Sequence, residues 1–184
     1  MKTQEPKIID QIFSQEEFEA LQSHAKDLYS NREHYEEGFG RYVFGKTEIL
    51  ENAHNLLLEK ARKIFNSETL LPSWSMMAAY RGDQGSLSRH TDDNACTYHL
   101  DISIFQTINW DLWVKHDEEE RPYSLKENQA LAMYGEDQEH WREDLQGKPE
   151  DVVCNAFFFF CEPDHWYFTK GPEYLNVIRG EENV

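Results

Sequence analysis

Two histidines and an aspartate are the residues of this chain best placed for chemistry. His90 and Asp92 stand one residue apart in "RHTDDNAC" (89–96), and His140 follows in "GEDQEHWRED" (135–144). On an extended segment, residues two apart share a side, so an imidazole nitrogen and a carboxylate oxygen can meet at one point. A second imidazole returning on another strand of the same barrel would complete one face of three ligands and leave three positions of an octahedron open. Such a site can take a chelating 2-oxo acid and O₂ side by side, which suits an Fe(II) centre coupling oxidative decarboxylation to hydroxylation. A closed structural zinc site would want a fourth protein ligand, and none is evident.

The same residues admit a plainer reading. His90 would cap a turn, Asp92 would bond its own backbone in an Asx-turn, and His140 would lie exposed among acids. The surroundings favour the site, because "YRGDQGSLSRH" (80–90) and "MYGEDQEH" (133–140) bring both histidines in from loop-to-strand junctions, where sites are commonly built. Asp93 is left out of the ligand set, since on a regular strand it points to the opposite face.

The elements that must position these residues fall into two zones. In "IFSQEEFEALQSHAKDLYSN" (12–31), Ser14 reads as an N-cap with Glu17 as its capping-box partner, Phe13 and Phe18 as a hydrophobic staple, and Phe18, Leu21, Ala25 and Leu28 as the buried face. After Thr47 a second helical pattern runs through Ile49, Leu50, Ala53, Leu56, Leu57, Ala61, Ile64 and Phe65. Beyond Pro72 the apolar residues come in short runs, "SWSMMAAY", "TYHLDISIF", "WDLWVKH", "NQALAMYG" and "DVVCNAFFFFCE", separated by Gly, Asp, Asn and Pro. The last run is apolar at consecutive positions, as a strand buried on both faces should be. The expectation is one α+β domain, mainly β, with residues 1–70 as helical support and residues 71–184 as a sandwich or barrel core.

Composition bounds the function. A chain of 184 residues suits one domain, and a hydrophobic fraction of 39% with 14% aromatics supplies a core despite a mean hydropathy of −0.79. With 18 Lys and Arg against 35 Asp and Glu, the formal net charge of −17 repels phosphate backbones and anionic headgroups, so neither nucleic acid nor membrane is an expected partner. Acids crowd between Asp117 and Asp151, which reads first as a solvated face and second as a surface for a cationic partner. Cys96, Cys154 and Cys161 lack paired CxxC spacing and no secretory pattern precedes them, so reduced thiols in the cytoplasm are expected. Cys96 reads as a small buried hydrophobe rather than a nucleophile.

Several stretches together resemble the Fe(II)- and 2-oxoglutarate-dependent dioxygenases, specifically the small prolyl-4-hydroxylase-like branch. These are "LLPSWSMMAAYRGDQGSLSRHTDDNAC", "YHLDISIF", "ALAMYGEDQEHWRE" and "NAFFFFCEP", in order from about Pro72 to Pro163, preceded by the helices "KIIDQIFSQEEFEALQ" and "TEILENAHNLLLEKA". The resemblance implies a double-stranded β-helix, that is, a jelly-roll or cupin-like barrel. It also implies His90, Asp92 and His140 as Fe(II) ligands, 2-oxoglutarate as co-substrate, O₂ as oxidant, and a small-molecule or peptide substrate, which the acidic surface would favour as cationic.

The chain departs from that family in one place. The family usually holds the remote carboxylate of 2-oxoglutarate with an Arg or Lys about ten residues past the distal histidine, where this chain has Glu150, and "DVVCNAFFFFCE" carries neither basic residue. Arg142 is the first candidate anchor, sharing the face of His140 on a regular strand, with a surface pair to Glu139 or Glu143 as its plainer role. Lys148 and Lys115 follow. Tyr80, Tyr98, Tyr134 and Trp141 could line the pocket or offer a hydroxyl, Tyr80 foremost, and otherwise read as core. The missing basic residue keeps open a cupin-like metalloprotein that does not use a 2-oxo acid, and the acidic surface keeps open a non-catalytic interaction domain.

Overall fold

The computed structural model describes residues 4–45, 47–93 and 95–170. Both anticipated helices form as their caps dictate. In α1 (Gln15–Ser30) the Ser14 hydroxyl accepts from the Glu17 backbone N–H at 3.3 Å while the Glu17 carboxylate accepts from the Ser14 N–H at 2.8 Å. In α2 (Glu48–Phe65) the Thr47 hydroxyl caps the Leu50 N–H, and Asn66 ends the helix in the left-handed conformation at φ 54°. The buried stripe of α2 is narrower than the sequence pattern suggests. Leu50, Ala53, His54, Leu57, Ala61 and Phe65 are buried, but Ile49 and Leu56 lie on the outer flank, exposed.

Two antiparallel sheets make the core. The larger is seven-stranded, built from β1 (Lys7–Ile9), β2 (Tyr35–Glu36), β3 (Arg41–Gly45), β4 (Leu71–Arg81), β6 (Tyr98–Gln106), β9 (Ala130–Met133) and β11 (Val152–Cys161), in the order β1-β9-β6-β11-β4-β3-β2. The smaller is four-stranded, from β5 (Leu87–His90), β7 (Leu112–His116), β8 (Glu119–Tyr123) and β10 (His140–Arg142), in the order β5-β10-β7-β8. A short α3 (Trp166–Lys170) follows. Residues 1–70 are therefore not purely helical support, since β1, β2 and β3 extend both edges of the larger sheet. Each of those strands is two to five residues long, too short for alternation to announce it; pairing, not propensity, makes it a strand.

The period of two sorts the central strands. On β11, Cys154, Ala156, Phe158 and Phe160 turn outward into the cluster that holds Phe18, Leu21, Leu50, Leu57 and Phe65 of the helices. Val153, Phe157 and Phe159 turn into the barrel with Ala78, Tyr80 and Trp110. A third cluster joins Leu112 and Val114 of the smaller sheet to Leu131 and Met133 of the larger and seals the barrel between them. The two faces of β11 thus serve two different apolar contacts, which is why its sequence does not alternate. No helix among the described residues is long and apolar enough to cross a membrane.

Candidate metal centre and its pocket

His90 closes β5 and His140 opens β10, and the two are direct register partners across that antiparallel pair. Their rings lie 4.3 Å apart between centroids. The segment after His90 leaves the sheet, so Asp92 is placed by a loop, tied down by its N–H to the Gly135 carbonyl at 2.8 Å. Gly135 has no room for a side chain, because a Cβ there would overlap Asp92 Oδ2 and come 2.6 Å from the Cys96 carbonyl oxygen. Since residues 91–93 are not a regular strand, Asp93 does not turn to an opposite face; it lines the same cavity as Asp92.

The donor atoms suit a metal. One atom each from His90, Asp92 and His140 lie within 4.8 Å of one another. Asp92 Oδ1 is 3.5 Å from His140 Nε2 and 3.7 Å from His90 Nε2, slightly wider than the ~3 Å that separates neighbouring ligands bonded at ~2.1 Å. His90 Nδ1 lies 2.7 Å from the Ser88 carbonyl oxygen and His140 Nδ1 2.9 Å from that of Gln138. A carbonyl only accepts, so each Nδ1 carries the proton and each Nε2 presents its lone pair to the common point. Burial alone would raise the pKa of Asp92, but the facing His99, His140 and His90 hold it well below the usual carboxylate range. For His90, burial works downward and is outweighed by Asp92 and the Ser88 carbonyl, so its pKa is raised.

These three residues stand at a cavity of about 360 Å³ that both sheets line. Its exposed wall is largely apolar, with Phe39, Trp74, Met76, Leu112, Phe157 and Phe159 among the lining residues, and polar side chains gather around the three candidate ligands and at Arg41 and Asp101. Arg41 of β3 is one that the sequence reading missed. Its Nη1 donates to the Tyr80 hydroxyl at 2.9 Å, its Nε pairs with Glu36 at 2.6 Å, and the guanidinium lies over the Phe39 ring at 4.3 Å. Tyr80 is buried and lines the cavity; burial raises its pKa against the pull of Arg41 and Arg142.

The other anchor candidates are placed differently. Arg142 is buried, not paired on the surface with Glu139 or Glu143. It donates to Asp101 Oδ2 at 2.9 Å and to the Trp110 carbonyl at 2.6 Å, while Asn155 of β11 donates to Asp101 Oδ1 at 2.5 Å. Asp101 reaches the cavity wall and Arg142 does not, so this guanidinium is spent on a carboxylate of the chain itself. Lys148 is exposed on the loop before β11, and Lys115 pairs with Glu118 at 3.8 Å; neither reaches the cavity. Tyr98 and Tyr134 pack with Phe65 beneath the helices, and Trp141 stacks on Trp113 under Arg89. Cys96 lines the cavity as a buried side chain, and burial drives its thiol pKa upward, away from the reactive thiolate.

No family model matches the chain, and no curated protein matches it in sequence. Solved structures do match. A "2OG-Fe(II) oxygenase family" oxidoreductase from Burkholderia pseudomallei superposes with TM-score 0.67 at 11% identity, covering 84% of this chain and 83% of that one. A prolyl hydroxylase from Trichoplax adhaerens, in complex with a hypoxia inducible factor peptide fragment, gives 0.64 at 13% identity over 84% and 83%. HygX from Streptomyces hygroscopicus, with nickel, 2-oxoglutarate and hygromycin B bound, gives 0.64 at 11% over 84% and 82%. The double-stranded β-helix anticipated from the sequence is thus the fold of this chain, shared with 2-oxoglutarate oxygenases over most of its length.

Proposed function

We propose that this protein is an Fe(II)- and 2-oxoglutarate-dependent oxygenase. The observation that carries this reading is the convergence of His90, Asp92 and His140, with both Nε2 lone pairs turned inward, on a largely apolar cavity of the oxygenase fold. Fe(II) bound there would supply the oxygen chemistry: O₂ and 2-oxoglutarate are consumed, succinate and CO₂ form, and one oxygen atom enters a C–H bond of a second substrate. The protein's part is positioning. His90, Asp92 and His140 would hold the metal, the aromatic walls would keep water from the reacting carbon, and Arg41 with Tyr80 would offer a cation and a hydroxyl to the remote carboxylate of the co-substrate.

The second substrate is a small molecule or a peptide, the two classes seen bound to structural neighbours. The net charge of −17 favours one carrying a cationic group, and a reducing cytoplasm suits both ferrous iron and the free, buried Cys96, Cys154 and Cys161.

Anaerobic loading with Fe(II) followed by 2-oxoglutarate should produce a visible charge-transfer band, and admission of air should yield succinate. A metal-loaded protein that shows neither would reject the reading. The competing one, a cupin-like metalloprotein that uses no 2-oxo acid, draws on the absence of Lys and Arg from β11 and on the engagement of Arg142 by Asp101. It expects tight metal binding with no spectral response to 2-oxoglutarate.

A further inference from the structure

His99 belongs to neither the expected ligand set nor the co-substrate anchor. It sits on β6 in the larger sheet, buried, with its ring 4.4 Å from that of Phe159 and 5.8 Å from that of Phe157. Its Nδ1 lies 2.9 Å from Asp92 Oδ2, the carboxylate oxygen turned away from His90 and His140. The two atoms are in close contact without the alignment of a hydrogen bond, and neither has a hydrogen-bond partner among the described residues. Two buried polar atoms left with only each other are costly to separate.

We propose that His99 is a positioning residue for the metal centre. By holding Asp92 Oδ2, it makes the carboxylate a ligand through Oδ1 alone and stops it from rotating to bind through both oxygens. Two further observations point the same way. The Asp92 N–H is fixed to the Gly135 carbonyl, and the absence of a side chain at Gly135 is what leaves room for Oδ2 in this orientation. Asp92 Oδ1 is meanwhile the oxygen that faces both histidine Nε2 atoms. A carboxylate bound through both oxygens would fill a coordination position that the three-ligand arrangement leaves open, so His99 guards the number of open positions. The idea depends on the triad holding a divalent metal and not on the identity of the co-substrate.

Co(II) titration followed by visible absorption tests it, with His140→Ala as the baseline for a broken site. Parent protein that binds Co(II) no better than His140→Ala would remove the metal reading itself. Given a binding parent, the informative pair is His99→Asn and His99→Gln, because an Asn amide nitrogen overlays the imidazole Nδ1 whereas a Gln amide nitrogen overlays Nε2. His99→Asn should bind Co(II) within about threefold of the parent and keep its spectrum, while His99→Gln should bind about 10- to 100-fold more weakly with an altered d–d envelope. Equal behaviour of the two variants, both intact or both impaired while folded by circular dichroism, would overturn the proposal. Should His99→Gln fail to fold, an Asn variant with an altered spectrum would overturn it and a parental one would sustain it.

Discussion

At the scale of single residues, the chain separates two arginines that sequence alone could not rank. Arg142 completes a buried network with Asp101 and Asn155, whereas Arg41 meets the cavity beside Tyr80. They should therefore fail differently. Arg142→Met leaves the Asp101 carboxylate buried without a counter-charge, held only by the Asn155 amide, so it should cost about 3–5 kcal/mol of folding stability in urea. Arg41→Gln removes a charge-assisted contact of about 1.5–3 kcal/mol from a bound carboxylate, a loss of roughly 10- to 100-fold in 2-oxoglutarate affinity by calorimetry, with a smaller loss of stability than Arg142→Met. Binding of 2-oxobutanoate, which has no remote carboxylate, should be indifferent to Arg41→Gln; equal losses for both acids would discard Arg41 as the anchor. His140→Ala should weaken Co(II) binding by more than about a hundredfold, beyond the usual cost of losing an outer-shell partner.

At the scale of elements, the docking of α2 on the larger sheet carries its own pH dependence. His54 is buried against Phe158 and Phe160 and bonds the Phe159 carbonyl at 2.9 Å, and burial lowers its pKa from 6.5 to about 4. A depressed folded pKa means that the unfolded chain takes up the proton first. The contribution of His54 is therefore whole above pH 6.5 and is lost progressively as the pH falls toward 4, by about 3 kcal/mol in all. Urea midpoints measured between pH 7 and 4 should fall less steeply for His54→Gln than for the parent, and parallel curves would contradict this. The same scale shows what could be read from the sequence. Both helices, and the long strands β4, β6 and β11, carry caps or apolar runs strong enough to be seen in isolation. The short strands β3, β5 and β10 exist through pairing, and they carry Arg41, His90 and His140. The histidines were legible as a motif; Arg41 belongs to no motif and was not. In β6, His99, Asp101 and Ser103 alternate with Leu100, Ile102 and Ile104, a pattern that ordinarily marks a solvent face. Here all three polar residues are buried, and two of them, His99 and Asp101, line the cavity on the inner face of the barrel.

At the scale of the whole molecule, the three candidate ligands lie where the two sheets meet. His90 and His140 belong to the smaller sheet, while the loop bearing Asp92 is held to the larger one through Gly135, which follows β9, and through His99 on β6. A metal bound by all three would join the sheets at the mouth of the barrel and stabilise the fold by mass action. The gain is about 2.7 kcal/mol at a hundredfold excess over Kd, or roughly 5–10 °C in Tm for a chain of this size. The acidic surface complicates the measurement, since at a net charge of −17 any divalent cation relieves some self-repulsion. That general effect is indifferent to ligand identity, so Mg²⁺ should raise the Tm of the parent and of His140→Ala alike. Mn²⁺, which accepts imidazole more readily, should add a further rise in the parent alone. Hydrogen exchange should slow on Mn²⁺ binding in β5, β10 and the loop holding Asp92, and not in α1 or α2. Equal Mn²⁺ responses in parent and variant would assign the effect to surface charge and leave the two sheets joined by packing alone.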